Sequence, residues 1–216
     1  MNLEEARADL LRGLRGEIWD RRVLQAMERV PRELFVEPGD QHLAYANIPL
    51  PIAYGQTISQ PYIVALMTQA LFLRGKEKVL EIGTGTGYQT AILAELSRQV
   101  VSVERFETLA ERARQRLKLL DYDNVEVHVG NGTLGWPQDA PYQAIIVTAG
   151  APRVPQELFD QMDDGGRLVI PVGSRFDQEL LLLVRRGDEL ERHNLGACRF
   201  VPLTGQAGWS DQGGQP

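Results

Sequence analysis

The stretch Glu81-Ile82-Gly83-Thr84-Gly85-Thr86-Gly87-Tyr88 leaves a short apolar run and enters a helical pattern. Before the glycines, Lys78-Val79-Leu80-Glu81-Ile82 has the length and apolar content of a buried strand. Glycines between a strand and a helix allow a tight turn. They also let a ligand approach the backbone where a side chain would collide. Glu104 ends the next strand pattern, residues 99–104, where a carboxylate can accept hydrogen bonds from both ribose hydroxyls of a nucleoside. The spacing is G-x-G-x-G, with Tyr88 where the third glycine of a dinucleotide fingerprint would fall. The Gly-Lys-Ser or Gly-Lys-Thr ending of a P-loop is absent. The loop therefore matches neither the dinucleotide fingerprint nor a P-loop.

Outward from this loop, strand and helix patterns alternate. Strands are predicted at 78–82, 99–104, 124–129, 144–149, 167–172, 179–186 and 193–203, and helices at 88–96, 107–120 and 155–162. Residues 144–149 are continuously apolar, as suits a central strand buried on both faces. The expected fold class is α/β: a doubly wound, mostly parallel seven-stranded sheet with an N-terminal helical and irregular extension. The last two strands have a short connection and should pair antiparallel. Upstream, residues 3–30 show helical periodicity through Leu3, Leu10, Leu14, Ile18, Val23, Met27 and Val30. Residues 31–59 are irregular and rich in proline, and a helix over 61–73 follows. A long irregular stretch in a compact chain is more often functional than idle. The Gly- and Gln-rich tail from Gly205 is expected to fray. One domain is predicted over 1–210. Within it, 1–75 holds the N-terminal helices and a substrate segment, and 76–205 the nucleoside-binding core.

The chain has 216 residues, 43% hydrophobic and 24% charged, with a formal net charge of −6. An acidic balance argues against a large phosphate-binding surface, so no nucleic-acid partner is predicted. The lone cysteine, Cys198, excludes an intrachain disulfide and reads as a small buried hydrophobe. The first twenty residues mix acids and arginines with apolar residues and lack the core of a signal peptide. No run is apolar and long enough to span a bilayer. A cytoplasmic, soluble monomer without membrane contacts is expected, and no metal site is predicted.

The segment before the loop is more specific. Asn47-Ile48-Pro49-Leu50-Pro51-Ile52 leads into Gly55-Gln56-Thr57-Ile58-Ser59-Gln60-Pro61. The second run resembles the signature of the protein-L-isoaspartate O-methyltransferases, and Glu81 to Gly87 resembles the class I methyltransferase nucleoside loop. Val30 to Val36, Trp136, Ala140 to Tyr142, Val147 to Ala149, Gly165 to Gly173 and Arg199 to Leu203 resemble further parts of that family. The resemblance spans about residues 20–205. It implies a Rossmann-like methyltransferase fold that transfers a methyl group from S-adenosyl-L-methionine to the free carboxylate of L-isoaspartyl residues in damaged proteins and peptides. S-adenosyl-L-homocysteine would be left, and the ester would begin repair through a succinimide. The implied cofactor-binding residues are Glu81, Gly83, Thr84, Gly85, Gly87, Glu104, Asn131 and Gly132. Ile58, Ser59 and Gln60 would meet the acceptor, with Ser59 catalytic.

The residues alone leave room for other readings. Ser59 precedes a helix, so its hydroxyl could simply cap backbone N–H groups. His42, His128 and His193 read as incidental, because a carboxylate nucleophile needs no base. Asn131 and Asn47 stand where the family usually carries aspartate; Asn131 would offer its amide oxygen to adenine, and Asn47 reads equally as a turn residue. Two other functions compete: a methyltransferase acting on a small molecule or RNA, and a protein that binds the cofactor without turnover.

Overall fold

The computed structural model describes residues 2–210. The chain opens with α1 (Leu3–Leu14) and α2 (Arg21–Arg29). Asn2 accepts from the Glu5 N–H and Glu5 accepts from the Asn2 N–H, a reciprocal cap that starts α1. Asp20 caps α2. The periodic stretch 3–30 is thus two helices broken over 15–20. Its apolar stripe survives the break, since Leu14, Ile18, Val23 and Met27 are all buried.

Residues 31–59 contain short 3-10 turns and a hairpin of β1 (Leu50–Pro51) with β2 (Thr57–Ile58). α3 (Pro61–Ala70) starts with proline, where the missing N–H breaks no helical bond. The alternating part follows: β3 (Lys78–Ile82), α4 (Tyr88–Ala94), β4 (Gln99–Glu104), α5 (Glu107–Leu119), β5 (Val125–Val129), β6 (Tyr142–Val147), α6 (Gln156–Asp160), β7 (Met162–Gly173), β8 (Gln178–Arg186) and β9 (Glu189–Cys198).

These last seven strands form one sheet in the order β5-β4-β3-β6-β7-β8-β9. The pairs from β5 through β7 are parallel. β8 pairs antiparallel with both β7 and β9, which places β9 at the edge. Side chains alternate across the sheet. Val79 joins a core shared with α1 through α5, while Leu80 and Ile82 join a second core with Leu158 of α6 and Leu203. The strand order reverses between β3 and β6, so the loops leaving their carboxyl ends diverge and open a crevice.

Two C-terminal expectations need correction. The last strand is β9, not residues 193–203. It stops at Cys198, and the following residues turn back under the sheet: the Gly150 N–H donates to Val201 O, and the Leu203 N–H to Gly150 O. Burying Val201 and Leu203 against the second core draws them off the polar edge. Nor do residues 205–209 fray. Trp209 Nε1 donates to Gly150 O at 3.0 Å, and the Gly205 N–H to Trp209 O. Residues 211–216 of the expected frayed tail lie outside the described residues.

Phe35 fastens the irregular segment to the α/β core. It is fully buried, and its ring meets Tyr88 edge-on with centroids 5.6 Å apart. Phe35→Ala should lower unfolding free energy in urea by about 3–5 kcal/mol. A loss within the roughly 0.5 kcal/mol usual for surface changes would show that this attachment contributes nothing.

Candidate active site

The crevice between β3 and β6 is a cleft with about 810 Å³ of space, part of it open to solvent. Its floor is the loop after β3. Gly83 takes φ +95°, and a Cβ there would collide with Thr148 Oγ1. Thr148 follows β6, and its hydroxyl lies 2.8 Å from Gly83 O and 3.0 Å from Ile82 O. That one hydroxyl holds the exits of β3 and β6 together. Gly85, at φ +55°, meets no clash where a Cβ would stand, its one near atom being Ile52 Cδ1 in ordinary contact at 3.7 Å. A ligand can therefore reach the backbone there.

Glu104, at the end of β4, lines the same cleft. Its Oε2 accepts from the Gly85 N–H at 2.8 Å and its Oε1 from the Phe106 N–H at 3.0 Å. Each carboxylate oxygen has two acceptor positions, so one on each remains for a ligand's hydroxyl groups. Gly132, after β5, closes the far wall. A Cβ on it would meet Ile82 Cγ2 at 2.5 Å, so only glycine keeps this backbone against the β3 exit. The open backbone at Gly85 and the two-point carboxylate fit a nucleoside such as that of S-adenosyl-L-methionine.

Glu81 belongs to a different layer. It lies on β3 facing α4, fully buried, and does not line the cleft. Its Oε2 accepts from Thr90 Oγ1 at 2.5 Å and from Ser102 Oγ at 2.6 Å. Ser102 Oγ lies 2.5 Å from Thr84 Oγ1, so with Ser102 donating to Glu81, Thr84 must be the donor to Ser102. A directed chain of hydroxyls thus ties the glycine loop to Glu81. Oε1 has no hydrogen-bond partner. Burial pushes this carboxyl up to about 8, against the hydroxyl bonds and with help from the charge on Glu104.

Ile58 and Ser59 also line the cleft, as the resemblance implies. The cap position of α3 is Gln60, whose side chain makes no capping bond to the helix, and no partner engages the Ser59 hydroxyl among the described residues. The simple capping reading of Ser59 therefore fails. Gln60 turns away from the cleft, its Nε2 donating to Asn47 O at 2.8 Å. Gly87 also leaves the cleft: it caps α4 and abuts Ala113 and Leu117 of α5. Asn131 does not line the cleft either. Its Oδ1 accepts from Thr133 N at 3.1 Å and Thr133 Oγ1 at 2.8 Å, which occupies the oxygen expected to serve adenine. Asn47 Oδ1 accepts from the Tyr62 N–H in the first turn of α3. Asn131 is thus the cap of the turn Gly132–Leu134, a position where Asn and Asp perform about equally, while Asn47 accepts from the start of α3 from outside that helix.

The family model for protein-L-isoaspartate(D-aspartate) O-methyltransferase matches residues 5–208. The chain belongs to this family. It is 57% identical to protein-L-isoaspartate O-methyltransferase 1 of Syntrophobacter fumaroxidans over 89% of this chain and 90% of that one. The Dictyoglomus thermophilum protein-L-isoaspartate O-methyltransferase is 53% identical over 96% and 95%. A solved protein-L-isoaspartate O-methyltransferase superposes with TM-score 0.84 at 31% identity, covering 94% of this chain and 67% of that one. A Plasmodium falciparum structure, described as a putative member in complex with S-adenosyl-L-homocysteine, gives TM-score 0.80 at 25% identity, covering 94% and 99%.

Within this isoaspartyl methyltransferase framework, some lining residues escaped the sequence reading. Thr148 and the strap Val201–Pro202–Leu203 were visible only as family-like stretches, and Thr204 not at all, because nothing in their own pattern places them at the β3 exit. Burial of Cys198 pushes its thiol up to about 11, which keeps it protonated and unreactive near neutral pH. Glu126, His128 and Asp139 bring ligand-type atoms within 4.8 Å of one another, but none of them lines the cleft.

Glu81 gives a prediction with a definite sign. Its folded pKa is raised, so between about 4.5 and 8 the native state holds a proton that the unfolded chain has released. Stability from this group is full below that window and falls as pH rises through it. Glu81→Gln removes the titration. Its stability relative to the parent should therefore increase steadily from pH 5 to pH 8 in urea unfolding. A difference that does not change with pH would mean that Glu81 is ionised throughout.

Proposed function

We infer that the chain methylates the free carboxylate of L-isoaspartyl residues in damaged proteins and peptides, using S-adenosyl-L-methionine and leaving S-adenosyl-L-homocysteine. The ester then closes to a succinimide, which starts repair. The observation that carries the residue roles is a single cleft with two unlike sets of lining residues. Gly83, Thr84, Gly85, Glu104 and Gly132 form a nucleoside cradle, and Ser59 lines the same cleft with a hydroxyl that no other described residue engages. The bound cofactor supplies an electrophilic methyl group on a sulfonium.

In this reading Glu104 accepts from the ribose hydroxyls, and Gly85 gives the ligand room against the backbone. Ser59 donates to the acceptor carboxylate, and Ile58 excludes water beside it. The acceptor has an intrinsic pKa near ~4 and is ionised at neutral pH, so the protein need not remove a proton. Its contribution is alignment and partial drying of the site, where the approaching opposite charges cancel. Glu81 and Gly87 set the loop's shape from below, while Asn131, Asn47 and Gln60 set the turns around it. Residues 1–75 would supply the acceptor wall and 76–205 the nucleoside wall of one domain ending near 210. No helix of the described residues is long and apolar enough to cross a membrane. The net charge of −6 supports a protein acceptor over a nucleic acid. A cytoplasmic monomer is proposed.

Radiolabelled methyl transfer tests this directly. Label should pass to an L-isoaspartyl peptide and not to its L-aspartyl twin, and mild base should release it, as expected of a carboxyl ester. Ser59→Ala should lower turnover by about 10²-fold or more, as removal of one oxyanion-hole donor does elsewhere, with cofactor affinity nearly unchanged. Equal labelling of both peptides would overturn the substrate assignment. Normal turnover by Ser59→Ala would remove Ser59 from catalysis.

A further inference from the structure

Arg32 is the largest side chain with no solvent exposure among the described residues. It sits in a 3-10 turn of the irregular segment, and two of its nitrogens hold backbone carbonyls. Nε donates to Ala44 O at 2.8 Å and Nη2 to Ser59 O at 2.7 Å. The guanidinium carbon lies 4.7 Å from the centre of the Tyr88 ring. Nη1 is buried with no hydrogen-bond partner among the described residues. No carboxylate pairs with Arg32 among the described residues; the neighbouring Glu33 accepts from the Tyr45 hydroxyl instead.

Such an arrangement is costly if its purpose is only structural. An arginine keeps its proton in a folded protein, so a full positive charge is buried here without a counter-ion. The effective penalty for an unpaired buried ion is several kcal/mol. Two carbonyls and an aromatic face offset part of it, but both N–H groups of Nη1 remain spare. The location suggests what the charge serves. Arg32 is bonded to the backbone of Ser59, whose hydroxyl is uncommitted, and it stacks on Tyr88, which opens α4 directly after the glycine loop. It touches both walls of the cleft from behind, without lining it.

We propose that Arg32 is a positioning residue for the anionic acceptor: it fixes Ser59 through the main-chain carbonyl and places an unpaired positive charge behind the site where the isoaspartyl carboxylate docks. This rests on the functional reading above. A charge in a low-dielectric interior is weakly screened, so it favours an anion at the cleft without touching it. It also favours a carboxylate over a neutral amide of the same shape, a discrimination that the Ser59 hydroxyl alone cannot make, since it can donate to either.

The test compares Arg32→Lys and Arg32→Met by peptide kinetics and cofactor calorimetry. Arg32→Met should raise the KM for an isoaspartyl peptide by on the order of tenfold or more, with cofactor affinity within about twofold. Arg32→Lys keeps the charge but loses the fork, and should recover a large part of that loss. If Arg32 is merely a brace, both variants will lose alike and cofactor binding will fall with them, which overturns the proposal. Should the variants not fold, the parent protein still decides the matter. An isoasparaginyl peptide, the neutral amide counterpart, should inhibit on the order of tenfold more weakly than the isoaspartyl peptide binds, and equal binding would overturn the proposal. Absence of any isoaspartyl methylation by the parent would instead strike the functional reading itself.

Discussion

The carboxylate of Glu104 is the constraint on which the cofactor side of this molecule depends. It receives the Gly85 N–H from the loop after β3 and the Phe106 N–H from the turn after β4. One side chain thereby ties two adjacent parallel strands at the ends where their loops diverge. Thr148 does the same between β3 and β6. The glycine loop is thus held from both flanks. Beneath it, the hydroxyl chain from Thr84 through Ser102 to Glu81 holds it from below. A loop fixed in this way spends little conformational entropy when a nucleoside arrives.

The acceptor side is built on a different plan. Residues 31–61 form almost no regular structure, yet they are not loosely held. Arg32 gathers the carbonyls of Ala44 and Ser59, Asn47 caps α3 from outside it, and Phe35 packs on Tyr88. Polar bonds from the buried Arg32 and the exposed Asn47 do here what sheet pairing does in the core. Tyr88 belongs to both halves: it begins the helix after the glycine loop and forms the surface on which Phe35 and Arg32 rest.

Much of this was legible in the sequence because backbone constraints leave marks on composition. The central strands are apolar runs, and glycine is obligatory both in the loop after β3, where Gly83 faces Thr148, and after β5, where Gly132 faces Ile82. Ser59 was legible through the distinctive run around it. What stayed hidden was side-chain direction. Glu81 sits in the motif next to the cleft, but strand alternation turns it toward α4, onto the face of Val79 and away from that of Ile82. Asn131 and Gln60 lie beside cleft residues, yet each is drawn off by a nearby backbone group needing a partner. The path of 199–209 was hidden because it depends on Gly150, some fifty residues earlier, accepting Trp209 and pairing with Val201 and Leu203.

The hold of Glu104 on both the loop and a ligand can be measured in one titration. Glu104→Gln keeps the shape of the side chain but removes its charge and one of its acceptor oxygens. Calorimetry with S-adenosyl-L-methionine should show binding weakened by about 1.5–3 kcal/mol relative to the parent, the range for hydrogen bonds to a charged group. Far-ultraviolet circular dichroism should remain that of the folded chain. Unchanged affinity in a folded Glu104→Gln protein would contradict the placement of the nucleoside in this cleft.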